Sequence, residues 1–225
     1  MHPTRTTVLA AIAIVAFAAA IALALHAATG HLLPFDRPYY DELQHVPGGR
    51  FYEPLANFLA LGVIEYGVLL AAAVYAWVAG NRLLAASMLL VVAARALNMP
   101  MKELIERPRP GPADVLIRNP APGYGFPSGH ASTAMLVFGY AAVVAMLHAP
   151  RPLAVAAVAL SVAAMLLIGW DRIYDGAHWP SDVLGGYATG ASLLAIAIAA
   201  PPLAMRLWHR ARIRRVGHSP ARRLG

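Results

Sequence analysis

The sequence predicts an all-α, polytopic membrane protein, a bundle of six transmembrane helices with both termini on the cytoplasmic side. Three observations carry that expectation. Apolar residues make up 59% of the 225-residue chain and charged residues 13%, against about 45–50% and about 25% in soluble domains. The apolar residues come in blocks as long as the ~20 residues that cross a bilayer. Arginines stand at alternate breaks between these blocks, where the positive-inside rule expects cytoplasmic ends.

The elements follow in order. A first helix is expected over 7–29, ended by Gly30 and Pro34. Its apolar run from Val8 to Ala28 exceeds the roughly 7–15 residues of a signal-peptide core, so an uncleaved helix is favoured over a cleaved leader. A second spans 54–79 and a third 83–105, separated by the tight break Gly80-Asn81-Arg82. The fourth and fifth, 130–148 and 152–171, flank His148 to Pro152 and must be antiparallel neighbours; the sixth spans 181–205. Nothing marks a second domain or a repeat, so 1–225 reads as one membrane-embedded domain. With six crossings, the connections 30–53, 106–129 and 172–180 share one face. Arg5, Arg82, Arg151 and the tail 206–225 share the other, which is then cytoplasmic, in the cell membrane. Seven arginines between Arg206 and Arg223, with no acid, equal the whole formal charge of +7. Beside an apolar helix, that tail is expected to rest on anionic lipid; no nucleic-acid-binding fold accompanies it. The absence of cysteine excludes disulfide and thiol chemistry.

The outward connections concentrate polar residues in three groups: Lys102 to Pro110, Pro127-Ser128-Gly129-His130, and Arg172 with His178 and Asp182. Helices of about 27 Å on either side of the 148–152 break bring His130 and Arg172 to one depth. Lys102, Arg109 and Arg172 suit the equatorial oxygens of a transferring phosphoryl group, where charge develops. Arginine offers a planar fork of donors and lysine a point charge; Lys102 is the only lysine in the chain. Gly129 lets backbone approach an anion, Ser128 can donate a hydroxyl, and helix N-termini favour negative charge. His178, with Asp182 four residues on, has the form of a nucleophile and the carboxylate that fixes its tautomer. His130 is the candidate general acid for the leaving alkoxide.

Each group also has a plainer reading. Lys102 and Arg109 can be snorkelling interfacial cations. Pro-Ser-Gly-His can be only a helix cap. His178 and Asp182 can be a structural pair or metal ligands, although no cluster with ligand spacing surrounds them. Gly186 and Gly190 read as a helix-packing face. What favours chemistry is the occurrence of all three groups in order.

Lys102-x6-Arg109-Pro110, Pro127-Ser128-Gly129-His130 and Arg172-x5-His178-x3-Asp182 together resemble the three-part signature of the type 2 phosphatidic acid phosphatase superfamily. That superfamily includes lipid phosphate phosphatases, bacterial diphosphate-lipid phosphatases, glucose-6-phosphatases and soluble vanadium haloperoxidases. The resemblance implies a nucleophile at His178, an acid at His130, a phosphohistidine intermediate, and no metal or other cofactor. The third block usually opens Ser-Arg; here it reads Asp171-Arg172, which puts a phosphate contact at 171 in doubt unless the carboxylate turns to Arg172 or Lys102.

The expected activity is hydrolysis of a lipid phosphate or diphosphate on the outer face. Arg107 and Arg118, as holders of a second phosphate, tilt the expectation to a polyprenyl diphosphate such as undecaprenyl diphosphate. Phosphatidic acid, phosphatidylglycerophosphate and a soluble sugar phosphate are the alternatives. A non-catalytic lipid-binding protein or a transporter is the rival class. Finally, Glu65 and Arg95 fall at matching depth in neighbouring helices and are expected to form an ion pair below the site.

Overall fold

The structure is a computed structural model. It describes residues 5–47 and 49–217, with the side chains of 5, 6, 8, 9, 63–65 and 206–217 left out. The described elements are helical: α1 Arg5–Ala27, α2 Asp36–Gln44, α3 Gly49–Leu59, α4 Gly62–Val78, α5 Arg82–Ala94, α6 Asn98–Ile105, α7 Gly129–His148, α8 Arg151–Tyr174 and α9 Pro180–Gly217. A 3₁₀ turn, Arg95–Leu97, joins α5 to α6.

Among the described residues, five stretches are long and apolar enough to cross a membrane: Ala10–Ala27, Arg82–Ile105, Gly129–His148, Arg151–Tyr174 and Pro180–Met205. The stretch expected as one helix over 54–79 is instead two, parted where Leu61 takes an extended backbone (φ −67°, ψ 106°). The apolar composition runs through this break, so the pattern conceals it. The two halves have different partners: α3 packs on α8, and α4 on α5. At 17 residues, α4 is about 25 Å long, short of the ~30 Å hydrocarbon core. The 3₁₀ turn has its cause in Pro100, which offers no N–H to the carbonyl of Ala96 and crowds it, so the chain tightens there.

α9 is the centre of the bundle, packing on α1, α5 and α7. Half of its membrane window is buried, against 11% for the peripheral α1. Small residues allow this closeness. A Cβ on Gly186 would lie 2.5 Å from the Ser128 carbonyl oxygen, and one on Gly190 2.7 Å from that of Ser132, so α7 and α9 touch backbone to backbone. Below this contact, Leu69, Met88, Val91, Leu136, Tyr140 and Leu194 form an apolar cluster; a second cluster of Tyr40, Ala131, Ile173, Trp179 and Val183 lies against the site. α9 runs on to Gly217, past the expected end at 205, and so includes the first arginines of the basic segment.

Candidate active site

Three segments distant in sequence meet at one cavity of about 630 Å³. Its lining includes Lys102 and Arg109 from the α6 end, Gly129 and His130 from the start of α7, and His178 from the α8–α9 turn. Ser128 and Asp182 are fully buried beneath this wall.

Local structure explains each placement. Glu106 ends α6 in the left-handed region (φ 51°), its N–H bonded to the Lys102 carbonyl; this reversal turns the following residues back over the site. The Lys102 Nζ donates to the Tyr124 carbonyl at 2.8 Å. Arg109 is anchored by donation to the carbonyls of Pro122, Gly123 and Ala177. Ser128 is the N-cap of α7, its Oγ facing the Ala131 N–H at 3.5 Å, while its own N–H donates to the Asp182 carbonyl at 3.0 Å. The first N–H groups of α7 and Gly129 thus stand at the cavity with the positive end of the helix dipole.

His178 is the central group. Arg109 Nη1 lies 3.1 Å from His178 Nε2. A guanidinium can only donate, so Nε2 carries the lone pair and Nδ1 the hydrogen. Nδ1 points to Asp182 Oδ2 at 3.6 Å, too long for a hydrogen bond, and has no partner among the described residues. Burial lowers His178 from its ordinary 6.5 to about 4; Asp182 partly offsets this, and Arg109 and Lys102 add to it. The imidazole is therefore neutral at pH 7, with its Nε2 lone pair on the cavity side and directed at Arg109.

Asp182 is itself held. Its Oδ2 accepts from the Trp179 N–H at 3.0 Å and its Oδ1 from Arg107 Nη1 at 2.6 Å. Arg107 is 2% exposed and also donates to Ser181 Oγ (2.7 Å) and Asp36 Oδ2 (3.2 Å). Asp36 in turn accepts from the N–H and hydroxyl of Ser181. This corrects the expectation that Arg107 holds a second phosphate: its donors are committed to buried carboxylates. The same correction applies to Arg118, which donates to the carbonyls of Tyr174 and Gln44 and stacks 3.9 Å over the Tyr174 ring. Asp36 and Ser181 were not foreseen. The available signal was Asp36, one of four acids in the connection 30–53, which was assigned to the same face as Arg107.

Arg172 is also occupied. It pairs with Asp171 and with Asp175 (3.1 Å), and donates to Asn57 Oδ1 at 2.8 Å. The aspartate that replaces the usual serine thus turns to Arg172. Burial raises Asp175 to about 6, against the opposing pull of Arg172. The side chain of Glu65 lies outside the described residues, so the expected Glu65–Arg95 pair does too; the Arg95 guanidinium sits 5.2 Å over the Tyr66 ring. Among the described residues no cluster of histidines and carboxylates could hold a metal ion.

Comparison with known proteins places the chain among membrane phosphatases in sequence and fold. Over 101 residues the chain is 36% identical to phosphatidylglycerophosphatase B of Bacillus subtilis (strain 168), covering 44% of this chain and 48% of that protein. Over 68 residues it is 34% identical to an undecaprenyl-diphosphatase of Sulfolobus acidocaldarius, covering 30% of this chain and 29% of that one. The chain therefore spans less than half the length of the curated relatives it matches. The crystal structure of Aquifex aeolicus LpxE shares the fold, with a TM-score of 0.57 at 20% identity over 74% of this chain and 96% of that one. The family model of the PAP2 superfamily matches residues 82–206. Matched over more than half of its length, the chain belongs to the PAP2 superfamily.

Proposed function

We propose that the protein is an integral membrane phosphatase that hydrolyses a lipid phosphate or diphosphate through a phosphohistidine. The observation that supports this best is His178, neutral and with its Nε2 lone pair facing a cavity it shares with His130, Lys102 and Arg109. In the first step Nε2 attacks phosphorus, the P–N bond forms and the P–O bond to the lipid breaks, while His130 gives its proton to the departing oxygen. In the second, His130 takes a proton from water, whose oxygen displaces Nε2 and releases inorganic phosphate. Lys102, Arg109 and the α7 N–H groups serve the equatorial oxygens throughout. Arg109, now on Nε2, would swing to the phosphate as it enters. No step calls on a metal.

The active site is read as extracytoplasmic, because Arg82 and Arg151 begin helices at the opposite end. Arg107 and Arg118 no longer favour a diphosphate. The matched stretches of phosphatidylglycerophosphatase B and undecaprenyl-diphosphatase support the class of lipid substrate and leave monoester and diphosphate alike in view.

Incubation of purified protein with ³²P-labelled lipid phosphate tests the mechanism. Label should be trapped on the chain, and both label and turnover should vanish in His178→Ala. His130→Ala should retain label on a substrate whose leaving group needs no proton. Turnover that survives in His178→Ala would sink the mechanism.

A further inference from the structure

The cavity extends past the reacting groups, and its far wall holds an arginine that the reaction above does not use. Arg95, Asn98 and Lys102 all line it, and their i, i+3, i+7 spacing places them on one helical face. At 1.5–2.0 Å of rise per residue, Arg95 sits roughly 10–12 Å from Lys102 along the axis. An ionisable group at such a position in a membrane span is costly and is by default a candidate for function.

The site is built. The Arg95 guanidinium lies 5.2 Å over the Tyr66 ring, and the Tyr66 hydroxyl donates to Thr133 Oγ1 at 3.1 Å. Thr133 is on α7, one turn from His130, so the platform under Arg95 is fixed to the helix of the proposed acid. Asn98, 5% exposed, stands between the two cations and donates from Nδ2 to the Arg95 carbonyl at 3.2 Å. Its buried Oδ1 has no partner among the described residues. A buried acceptor left without a donor is destabilising, and a ligand bringing a hydroxyl would relieve it. Val92, Ala96 and Met99 line the same region and suit the apolar part of a lipid.

We infer that Arg95 and Asn98 form a second-anion subsite, which takes a phosphodiester joined to the reacting phosphate by a short hydroxylated linker. The inference rests on the phosphatase reading and names its substrate class. Lys102, Arg109 and His178 receive the terminal phosphate, Asn98 Oδ1 accepts from the linker hydroxyl, and Arg95 binds the diester. The two phosphates of a diphosphate share one oxygen and cannot occupy both ends of a site about 10 Å long.

Steady-state hydrolysis in mixed micelles provides the test, with phosphatidylglycerophosphate, phosphatidic acid and a polyprenyl diphosphate as substrates. Arg95→Gln should lower kcat/KM on phosphatidylglycerophosphate at least about tenfold more than on the other two, chiefly through KM. Arg95→Lys should restore part of the difference. Equal losses on all three substrates, or the largest loss on the diphosphate, would overturn the subsite. A binding arm needs no turnover. In His178→Ala, phosphatidylglycerophosphate should raise the thermal midpoint more than phosphatidic acid does, and adding Arg95→Gln should remove that excess; an excess that persists would also overturn it. Wild-type protein inactive on every lipid would instead refute the phosphatase reading, with the binding arm still deciding the subsite.

Discussion

His178 shows how burial sets the state of a proposed nucleophile. Its folded-state value of about 4 lies below the ordinary 6.5, chiefly through loss of hydration. Between these two values the unfolded chain holds the proton and the folded chain does not. This residue therefore subtracts stability as pH falls from 6.5 towards 4, and above 6.5 it has no effect. The His178 imidazole stays neutral down to about pH 4. Ring ¹⁵N spectra of the protein in micelles should place the His178 midpoint near 4, and lower still in Asp182→Asn, since Asp182 raises it. A midpoint at 6.5 or above would show that the imidazole is not buried as described. That Lys102, Arg109, His130 and His178 would come together was legible in the sequence because their groups fall at helix ends on one side of the bundle, and they line one cavity. The partners of Arg107 were not. Its carboxylates lie 71 and 75 residues away, and no local pattern announces a pairing over that distance. The bond of Arg172 to Asn57, across 115 residues, was hidden for the same reason, whereas its pairing with the adjacent Asp171 was readable in the sequence.

Between elements, Arg107 is the joint. It ties Asp36 at the start of α2 to Ser181 and Asp182 at the start of α9, and α9 carries the carboxylate that faces His178. Removing one partner from a buried ion network leaves uncompensated charge and typically costs about 3–5 kcal/mol. Arg107→Ala should therefore lower thermal stability by about that much, and turnover with it. Arg107→Lys should recover stability better than rate, because one ammonium cannot reproduce the fork that spans both carboxylates. Wild-type melting in Arg107→Ala would remove the joint from the account. Element boundaries were legible wherever composition changed: Gly80-Asn81-Arg82 and the His148–Pro152 turn both separate helices as expected. They were hidden where composition did not change, as at Leu61, where packing partners decide the break.

For the whole molecule, the arrangement of charge bears on which way the site is proposed to face. The cavity opens at the end of the bundle where α6 stops and α7 and α9 begin. Arg82 and Arg151 begin α5 and α8, both of which run towards that end, so the arginines mark the opposite side. Under the positive-inside rule this supports the proposal that the cavity faces outward. The broken region of α3 and α4 complicates a simple count of crossings, because α4 alone is short for a span. Sidedness therefore needs its own measurement, and the lack of cysteine in the chain makes that measurement clean. A single cysteine at Ala113, exposed in the loop before α7, should react with a membrane-impermeant maleimide in intact cells. A single cysteine at Ala79, exposed before α5, should react only after the membrane is opened. If both react from outside, α4 does not cross and the bundle needs another path for its second pass. If Ala79→Cys alone reacts, the site faces inward, and a lipid phosphate would have to reach it from the cytoplasmic leaflet.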